Sequence, residues 1–211
     1  MLCIFDWDGT LCDSTGLIVK CIQLAAAELG FEALDDYTAR QIIGLGLRDA
    51  ILALYPAASD SDIQALAESY SRHFLAQSQS QSLFTGAFEL IELLKASGHE
   101  VCIATGKSRA GLDRVLDQLA LTQCFDATRC ADETASKPNP LMLHELLEEF
   151  GREPKDAVMV GDTTFDINMA QRAQMPNIAV SWGAHDVSKL RAQAPDSLVS
   201  SMTSLSDLLL R

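Results

Sequence analysis

LCIFDWDGT, residues 2–10, is an apolar run that ends abruptly on two acids and a glycine. A short apolar run before a glycine turn is typical of a buried strand. The strand delivers Asp6 and Asp8 to its carboxyl end, the edge where open α/β sheets bind ligands. The alternative is an Asx turn that closes the strand, which needs only one acid and the glycine. Because that alternative leaves the second acid unexplained, we interpret this edge as a candidate functional site.

The composition of the 211-residue chain is that of a folded globular protein, with 48% hydrophobic residues and a mean hydropathy of +0.10. The length allows one ample core plus an insertion. No run reaches the roughly 18 apolar residues of a membrane span, and Asp6 comes too early for a signal peptide. The six cysteines form no CxxC pair, which favours buried free thiols. We therefore expect a cytoplasmic protein that does not bind membranes.

The formal net charge is −13, and no segment is rich in lysine or arginine. This balance repels a nucleic-acid backbone, so we expect no nucleic-acid partner. It also repels phosphorylated small molecules at long range. A phosphate site in this chain must therefore bring its own local cations.

The region 15–82 is helical in pattern and contains no strand signal. Its first helix face is formed by Ile18, Cys21, Ile22, Ala25 and Leu29. Shorter helical segments are predicted over 36–43 and 47–54, and a further face runs through 63–74. The polar tract 77–82 is typical of a flexible return linker. A helical module on two linkers can move as a lid.

Beyond residue 84 the pattern alternates between helices and strands. Buried strands are predicted at 101–104, 157–160 and 178–180, with a weaker strand at 125–130. Alternating elements of these lengths predict a parallel α/β sheet that is covered on both faces. The predicted domains are therefore an α/β core of residues 1–14 and 83–211 and a helical insertion of residues 15–82.

Four segments carry the candidate chemistry, and each lies at the carboxyl end of a predicted strand or at the start of the next helix. They are FDWDGTLCDS from residue 5, IATGKS from residue 103, SKPNP from residue 136 and VGDTTFD from residue 160. In a parallel sheet these segments converge on one crevice. Together they supply acids, a hydroxyl and a lysine.

In order and spacing, the four segments resemble the motifs of the haloacid dehalogenase superfamily, in its phosphatase branch. The insertion 15–82 is similar to the helical cap of the phosphoglycolate phosphatase and β-phosphoglucomutase group. The resemblance covers nearly the whole chain. It implies a Rossmann-like parallel core with an inserted all-helical cap.

The resemblance also implies roles for the residues of these motifs. Asp6 is the expected nucleophile, which forms an aspartyl-phosphate, and Lys137 is the expected cation beside it. Asp8 is the expected general acid and base, and its presence favours phosphoryl chemistry because dehalogenases of the superfamily lack an acid there. Hard oxygen ligands from Asp6, the backbone carbonyl of Asp8 and Asp162 suit Mg²⁺.

Thr105 and Gly106 resemble the second motif of the family, whose hydroxyl and neighbouring amide bind the transferring phosphoryl group. A helix cap is the alternative for Thr105. Asp166 resembles a supporting carboxylate of the metal site, but Thr163 and Asp166 also have the spacing of a capping box. Both interpretations of Asp166 can hold together.

The segment GLGLR, residues 44–48, resembles the cap loop that faces the core in related phosphatases. Arg48 is thus a candidate for binding a second anionic group of the substrate, with a solvated helix-start arginine as the alternative. Lys107 and Arg109 are similarly ambiguous. TGKS at 105–108 imitates a P-loop, but it lacks the required first glycine. The scattered histidines favour a polar surface position for each.

The resemblance predicts a Mg²⁺-dependent phosphatase that acts on a small phosphorylated metabolite, phosphoglycolate-like or a sugar phosphate. One alternative is a phosphomutase of the β-phosphoglucomutase type, which shares every core residue named above. Another is a non-catalytic binding protein, which is disfavoured because Asp6, Asp8, Lys137 and Asp162 are all present. The oligomeric state is not predicted.

Overall fold

The computed structural model describes residues 1–77 and 81–210. Its strands are β1 (Leu2–Phe5), β2 (Glu100–Thr105), β3 (Ala127–Cys130), β4 (Ala157–Gly161), β5 (Asn177–Val180) and β6 (Ser197–Val199). They form a six-stranded sheet of order β3-β2-β1-β4-β5-β6, and every neighbouring pair is parallel. The strand that carries the two acids therefore lies inside the sheet, between β2 and β4.

The helices are α1 (Thr15–Glu28), α2 (Asp36–Arg40), α3 (Leu47–Leu54), α4 (Asp60–Gln77), α5 (Ala87–Ala96), α6 (Arg109–Gln118), α7 (Leu141–Phe150), α8 (Thr164–Arg172), α9 (Val187–Ala192) and α10 (Met202–Leu209). Of these, α1 to α4 follow one another between β1 and α5. The remaining helices alternate with the strands. This order agrees with the predicted α/β pattern.

Both faces of the sheet are buried, as predicted. In β1 the side chains of Cys3 and Phe5 enter one hydrophobic cluster, while Leu2 and Ile4 enter the cluster on the opposite face. This alternation follows from the two-residue period of a strand. Helices α5, α6 and α10 contribute to the first cluster and α7 and α8 to the second. A strand buried on both faces is necessarily apolar throughout, which is why β1 is recognisable from its sequence.

Helices α1 to α4 share a hydrophobic cluster built around residues such as Ile22, Ile51 and Leu66, and Ala184 of the loop after β5 also belongs to it. The chain leaves and re-enters the sheet region at adjacent points. The amide of Asp13 donates to the carbonyl of Ser82, and the amide of Phe84 donates to the carbonyl of Leu11. The domain division at 14/15 and 82/83 stays a prediction. Residues 78–80 of the predicted linker lie outside the described residues.

Two sequence-based boundaries are corrected by the structure. The helix predicted over 36–43 ends at Arg40, because the chain then turns through Gly44, whose φ is +102°, towards the sheet. The strand predicted over 125–130 covers only Ala127–Cys130. Strand β6 and helices α9 and α10 were not predicted. Strand β6 has three residues and all are half-buried, so it lacks an apolar run.

The six cysteines are free thiols, and all but Cys124 are buried. Burial raises the pKa of Cys3, Cys12, Cys102 and Cys130 to about 12, so these thiols stay protonated at neutral pH. The prediction that the cysteines act as small core residues is confirmed for Cys3, Cys12, Cys102 and Cys130, which belong to the two clusters that cover the sheet. Among the residues that the structure describes, no helix has both the length and the apolar character needed to cross a membrane.

Candidate active site

The four candidate segments meet at the carboxyl edge of the sheet. Asp6 directly follows β1, Thr105 is the last residue of β2, and Asp162 directly follows β4. Lys137 lies in the loop between β3 and α7, and its ammonium group reaches the same point. All four side chains are buried. The parallel sheet therefore brings together groups that are far apart in the sequence.

Lys137 is held between two carboxylates. Its Nζ lies 2.7 Å from Oδ1 of Asp6 and 2.7 Å from Oδ1 of Asp166. Burial by itself lowers the pKa of the Lys137 ammonium, but the charges of Asp166 and Asp6 outweigh burial and raise this pKa above its ordinary value. The site therefore contains a permanent positive charge, which meets the requirement for a local cation.

Asp6 is buried and bears the first carboxylate of the site. Burial raises its pKa well above the ordinary value, Lys137 lowers it, and the charges of Asp166 and Asp162 raise it further. Among the described residues, Oδ2 of Asp6 has no hydrogen-bond partner. An unpartnered buried carboxylate oxygen is costly unless a ligand or metal completes its environment. This oxygen is consequently available for a cation or a phosphorus atom.

Asp162 is oriented by two donors from distant parts of the chain. The hydroxyl of Thr10 donates to Oδ1 at 2.8 Å, and the amide of Ala184 donates to Oδ2 at 2.6 Å. Burial and the charge of Asp166 raise the pKa of Asp162 to about 7. Gly183 permits this close approach, since a Cβ there would lie 2.1 Å from Oδ2 of Asp162. The sequence contained no signal for Ala184 or Gly183, which lie beyond β5.

Asp6, Asp162 and Asp166 form a buried acidic group in which one oxygen of each lies within 4.8 Å of the others. Hard carboxylate oxygens at this spacing fit a Mg²⁺ ion, and the unpartnered oxygen of Asp6 supports that fit. Both carboxylate oxygens of Asp166 already have partners in the protein. Its Oδ1 contacts Lys137, and its Oδ2 accepts from the amide and the hydroxyl of Thr163. The capping box and the contact with Lys137 thus exist together, and a direct metal bond from Asp166 stays a prediction.

Asp8, like Asp6, lines a cavity of about 270 Å³, the active-site cavity. Its Oδ1 accepts from the hydroxyl of Ser14 at 2.5 Å and lies 2.9 Å from Nζ of Lys107. Lys107 is almost buried, and its ammonium also lies 4.7 Å from the ring centre of Phe74 in α4. Lys107 thereby connects the carboxylate of Asp8 to the helical region.

Thr105 and Gly106 lie at the rim between the sheet edge and the helical region. The hydroxyl of Thr105 accepts from the amide of Lys107 at 3.2 Å, which leaves its own proton free to donate. A Cβ on Gly106 would lie 2.6 Å from the carbonyl oxygen of Gly44 and 2.5 Å from that of Leu45. Only glycine allows the loop after α2 to approach so closely. The phosphoryl-binding roles of both residues stay predictions. The helix cap that was the alternative for Thr105 is instead provided by Ser108, whose side chain accepts from the amide of Gly111.

The family model described as haloacid dehalogenase-like hydrolase matches residues 3–180. The chain belongs to this family. The probable phosphatase IndB of Dickeya dadantii is 36% identical over 94% of this chain and 88% of its own length. A phosphoglycolate phosphatase of Agrobacterium fabrum is 30% identical over 99% of this chain and 91% of its own length. These findings confirm the predicted class, a phosphoric monoester hydrolase of the haloacid dehalogenase-like type.

The fold of this haloacid dehalogenase-like hydrolase also agrees with solved structures. The crystal structure of a hydrolase from Pseudomonas syringae has a TM-score of 0.91 and covers 99% of this chain and 97% of its own. At 22% sequence identity, this likeness concerns the fold alone. The predicted Rossmann-like α/β architecture is confirmed.

Two arginines of the hydrolase lie apart from the residues described above. Arg48 forms an ion pair with Asp60 at 2.6 Å, and its side chain is 62% exposed. Arg109 binds Glu133 and Asp113 and donates to the hydroxyl of Thr128. The structure thus places Arg109 in a surface network. The predicted substrate contact of Arg48 is not supported by this position.

His185 corrects the expectation that every histidine lies on the polar surface. It is buried because its ring fills the space between α8 and the loop after α2. Its Nδ1 accepts from the amide of Thr164, and its Nε2 contacts the carbonyl of Gln41 at 3.3 Å. The carbonyl requires a proton on Nε2, so the ring is the neutral Nε2–H tautomer. No spacing in the sequence indicated this contact.

Lowering the pH is expected to destabilise the hydrolase, in part through His185. Burial lowers the pKa of His185 below 6.5, and Lys189 adds to this effect while Asp166 and Asp186 oppose it. Below pH 6.5 the unfolded chain binds the proton first, so the free energy of unfolding decreases as the pH falls towards the folded pKa. His185→Gln keeps a donor and an acceptor but does not titrate. Between pH 7.5 and 5.5, urea unfolding should show a smaller loss for the variant, by at most about 1.4 kcal/mol per pH unit. Equal losses would show that His185 does not contribute.

Proposed function

We propose that this hydrolase is a Mg²⁺-dependent phosphatase of a small phosphorylated metabolite and that it acts through an aspartyl-phosphate on Asp6. Phosphoglycolate and sugar phosphates are the first substrates to test, because a relative bears the name phosphoglycolate phosphatase. The observation that carries the proposal is the unpartnered Oδ2 of Asp6, next to Lys137 and two further buried carboxylates. A carboxylate arranged in this way can act as a nucleophile when a cation offsets its repulsion by the phosphate.

The chain's own residues account for both half-reactions. In the first, an oxygen of Asp6 attacks phosphorus, the bond from phosphorus to the alcohol oxygen breaks, and Asp8 gives its proton to the departing alcohol. In the second, Asp8 takes a proton from water, whose oxygen attacks phosphorus and releases Asp6 together with inorganic phosphate. Lys137 stabilises charge at Asp6, and the hydroxyl of Thr105 and the amide of Gly106 are the proposed donors to the phosphoryl oxygens.

Asp6, Asp162 and the backbone carbonyl of Asp8 are the proposed ligands of Mg²⁺, with Asp166 in support. When bound, the ion offsets the charge repulsion between a carboxylate nucleophile and a phosphate dianion. Thr10, Ala184 and Gly183 keep Asp162 in place for this purpose.

Mg²⁺ is expected to stabilise the folded protein. A ligand that binds only the folded state adds about 2.7 kcal/mol at a hundred times its Kd, so the melting temperature should rise with MgCl₂ concentration. Asp162→Asn should abolish this rise, because it removes a charged ligand while it preserves the side-chain shape. An equal rise in the variant would exclude Asp162 as a ligand, and no rise in the wild-type chain would contradict the Mg²⁺ site.

Asp8→Asn separates proton transfer from metal binding. We expect a decrease in kcat of about 10²–10⁴-fold, since both half-reactions lose their acid and base. The Mg²⁺-dependent rise in melting temperature should persist, because only the backbone carbonyl of Asp8 is assigned to the metal. Steady-state kinetics and thermal unfolding on the same preparation measure the two effects. An unchanged kcat would remove Asp8 from the mechanism.

The helical region is proposed to be a cap, residues 15–82, that closes over this site. Its support is the shared cluster of α1 to α4, the adjacent exit and return points of the chain, and the close contact of Gly44 with Gly106. The phosphomutase alternative uses the same core residues. Product analysis separates the two functions: a phosphatase releases inorganic phosphate from a sugar phosphate, whereas a mutase returns an isomer of it.

A further inference from the structure

The active-site cavity has a largely apolar lining. Ile18, Ile42, Ile43, Leu45, Leu47 and Phe74 line it, and all six lie on the helical region. Asp6 and Asp8 line the same cavity. A substrate whose phosphate is held at Asp6 therefore shares the cavity with these apolar side chains.

The described lining contains two cations, and one of them is already engaged. Lys107 is already bound to Asp8 at 2.9 Å. Arg114 lies on the exposed face of α6. The six apolar side chains offer no hydrogen-bond donors, so a carboxylate or a polyol that packs against them loses its bonds to water, which is unfavourable. The side-chain hydroxyls of the lining are those of Tyr70, Ser71 and Ser108.

The size of the cavity and its aromatic side chains favour a ring. An apolar cavity of about 150 Å³ accommodates benzene, so a cavity of about 270 Å³ holds a larger group of the same kind. Tyr70 and Phe74 both line the cavity, and their ring centres are 5.6 Å apart. Aromatic side chains of this kind pack well against the faces and edges of another ring.

We propose that the leaving alcohol of the substrate carries a compact apolar group, aromatic in character, that fills the active-site cavity. This inference rests on the proposed phosphatase function and concerns only the group attached to the phosphate. The proposed substrate preference differs from that of an enzyme dedicated to phosphoglycolate or to sugar phosphates, because the leaving groups of those substrates are polar.

Three phosphate esters of primary alcohols test the inference on the wild-type chain with Mg²⁺. They are 2-phenylethyl phosphate, glycerol 3-phosphate and phosphoglycolate. We expect kcat/KM for 2-phenylethyl phosphate to exceed that for each polar ester by about tenfold or more, as burial of an aromatic ring would give. If a polar ester is hydrolysed as well or better, the inference is wrong while the phosphatase function stands. If none is hydrolysed, the proposed function fails and the inference fails with it.

A matched pair of variants on α3 tests the location. Leu47 and Leu52 are both half-buried and belong to the same hydrophobic cluster, but only Leu47 lines the cavity. Leu47→Asn should lower the ratio of kcat/KM for 2-phenylethyl phosphate to kcat/KM for glycerol 3-phosphate by about fivefold or more. Leu52→Asn should change this ratio by less than about twofold. Equal ratios in both variants would show that the apolar group binds elsewhere, which would overturn the inference.

Discussion

Asp6→Asn is expected to reduce kcat for phosphate-ester hydrolysis by about 10⁴-fold or more. An amide oxygen is a far weaker nucleophile than a carboxylate, and among the described residues no other carboxylate of the site has a buried oxygen that lacks a hydrogen-bond partner. The variant should fold, because asparagine has the same shape and Lys137 keeps its contact with Asp166. Turnover of para-nitrophenyl phosphate by the purified variant measures the effect.

Asp13→Asn is the control for this experiment. Asp13 belongs to the same segment and is exposed, so its replacement should leave kcat within about twofold of the wild-type value. If Asp6→Asn retained substantial activity in pure protein, Asp6 could not be the nucleophile.

Lys137→Met is expected to reduce the free energy of unfolding by about 3–5 kcal/mol. Its ammonium is fully buried between Asp6 and Asp166, so its removal leaves two buried carboxylates without their cation. A loss of this size is a large fraction of the stability of a typical domain. Urea unfolding without Mg²⁺ measures the loss, and Mg²⁺ should recover part of it by neutralising the same carboxylates.

Lys95→Met provides the matched control, because the same substitution then removes a half-exposed ion pair with Asp126. Surface ion pairs are worth little, so the expected loss is about 1 kcal/mol or less. Similar losses for the two variants would mean that the contacts of Lys137 do not stabilise the fold.

The central strands of the fold were predictable because burial on both faces imposes an apolar composition. Strand β1 is apolar along its whole length and ends at the acids, so both the element and its functional end are visible in the sequence. Strand β6 has three half-buried residues and depends on pairing with β5, which no local pattern shows. The early end of α2 is likewise set by contacts of the following loop with the sheet edge.

The site could be predicted where strand ends position a side chain directly. Asp6, Thr105 and Asp162 belong to this class. The groups that orient them come from elsewhere in the chain. Thr10 bonds Asp162 across 152 positions, and Ala184 bonds it from a loop that has no motif.

The helical region was the least predictable part of the site. Its helix faces were recognisable, but the direction of a single side chain was not. Arg48 is the example, because its sequence position suits a substrate contact whereas its guanidinium bonds Asp60. Lys107 shows the opposite case: TGKS offered no unique interpretation, and the contact with Asp8 appears only in three dimensions.

Trapping of the phosphorylated residue tests the mechanism most directly. The wild-type chain is mixed with Mg²⁺ and para-nitrophenyl phosphate, quenched with acid during turnover and reduced with borohydride, which converts an aspartyl-phosphate into homoserine. We expect mass spectrometry of the tryptic peptide that ends at Lys20 to show homoserine at position 6, and none without substrate. Homoserine at Asp8, or an unmodified peptide during rapid turnover, would contradict the assignment of Asp6 as the nucleophile.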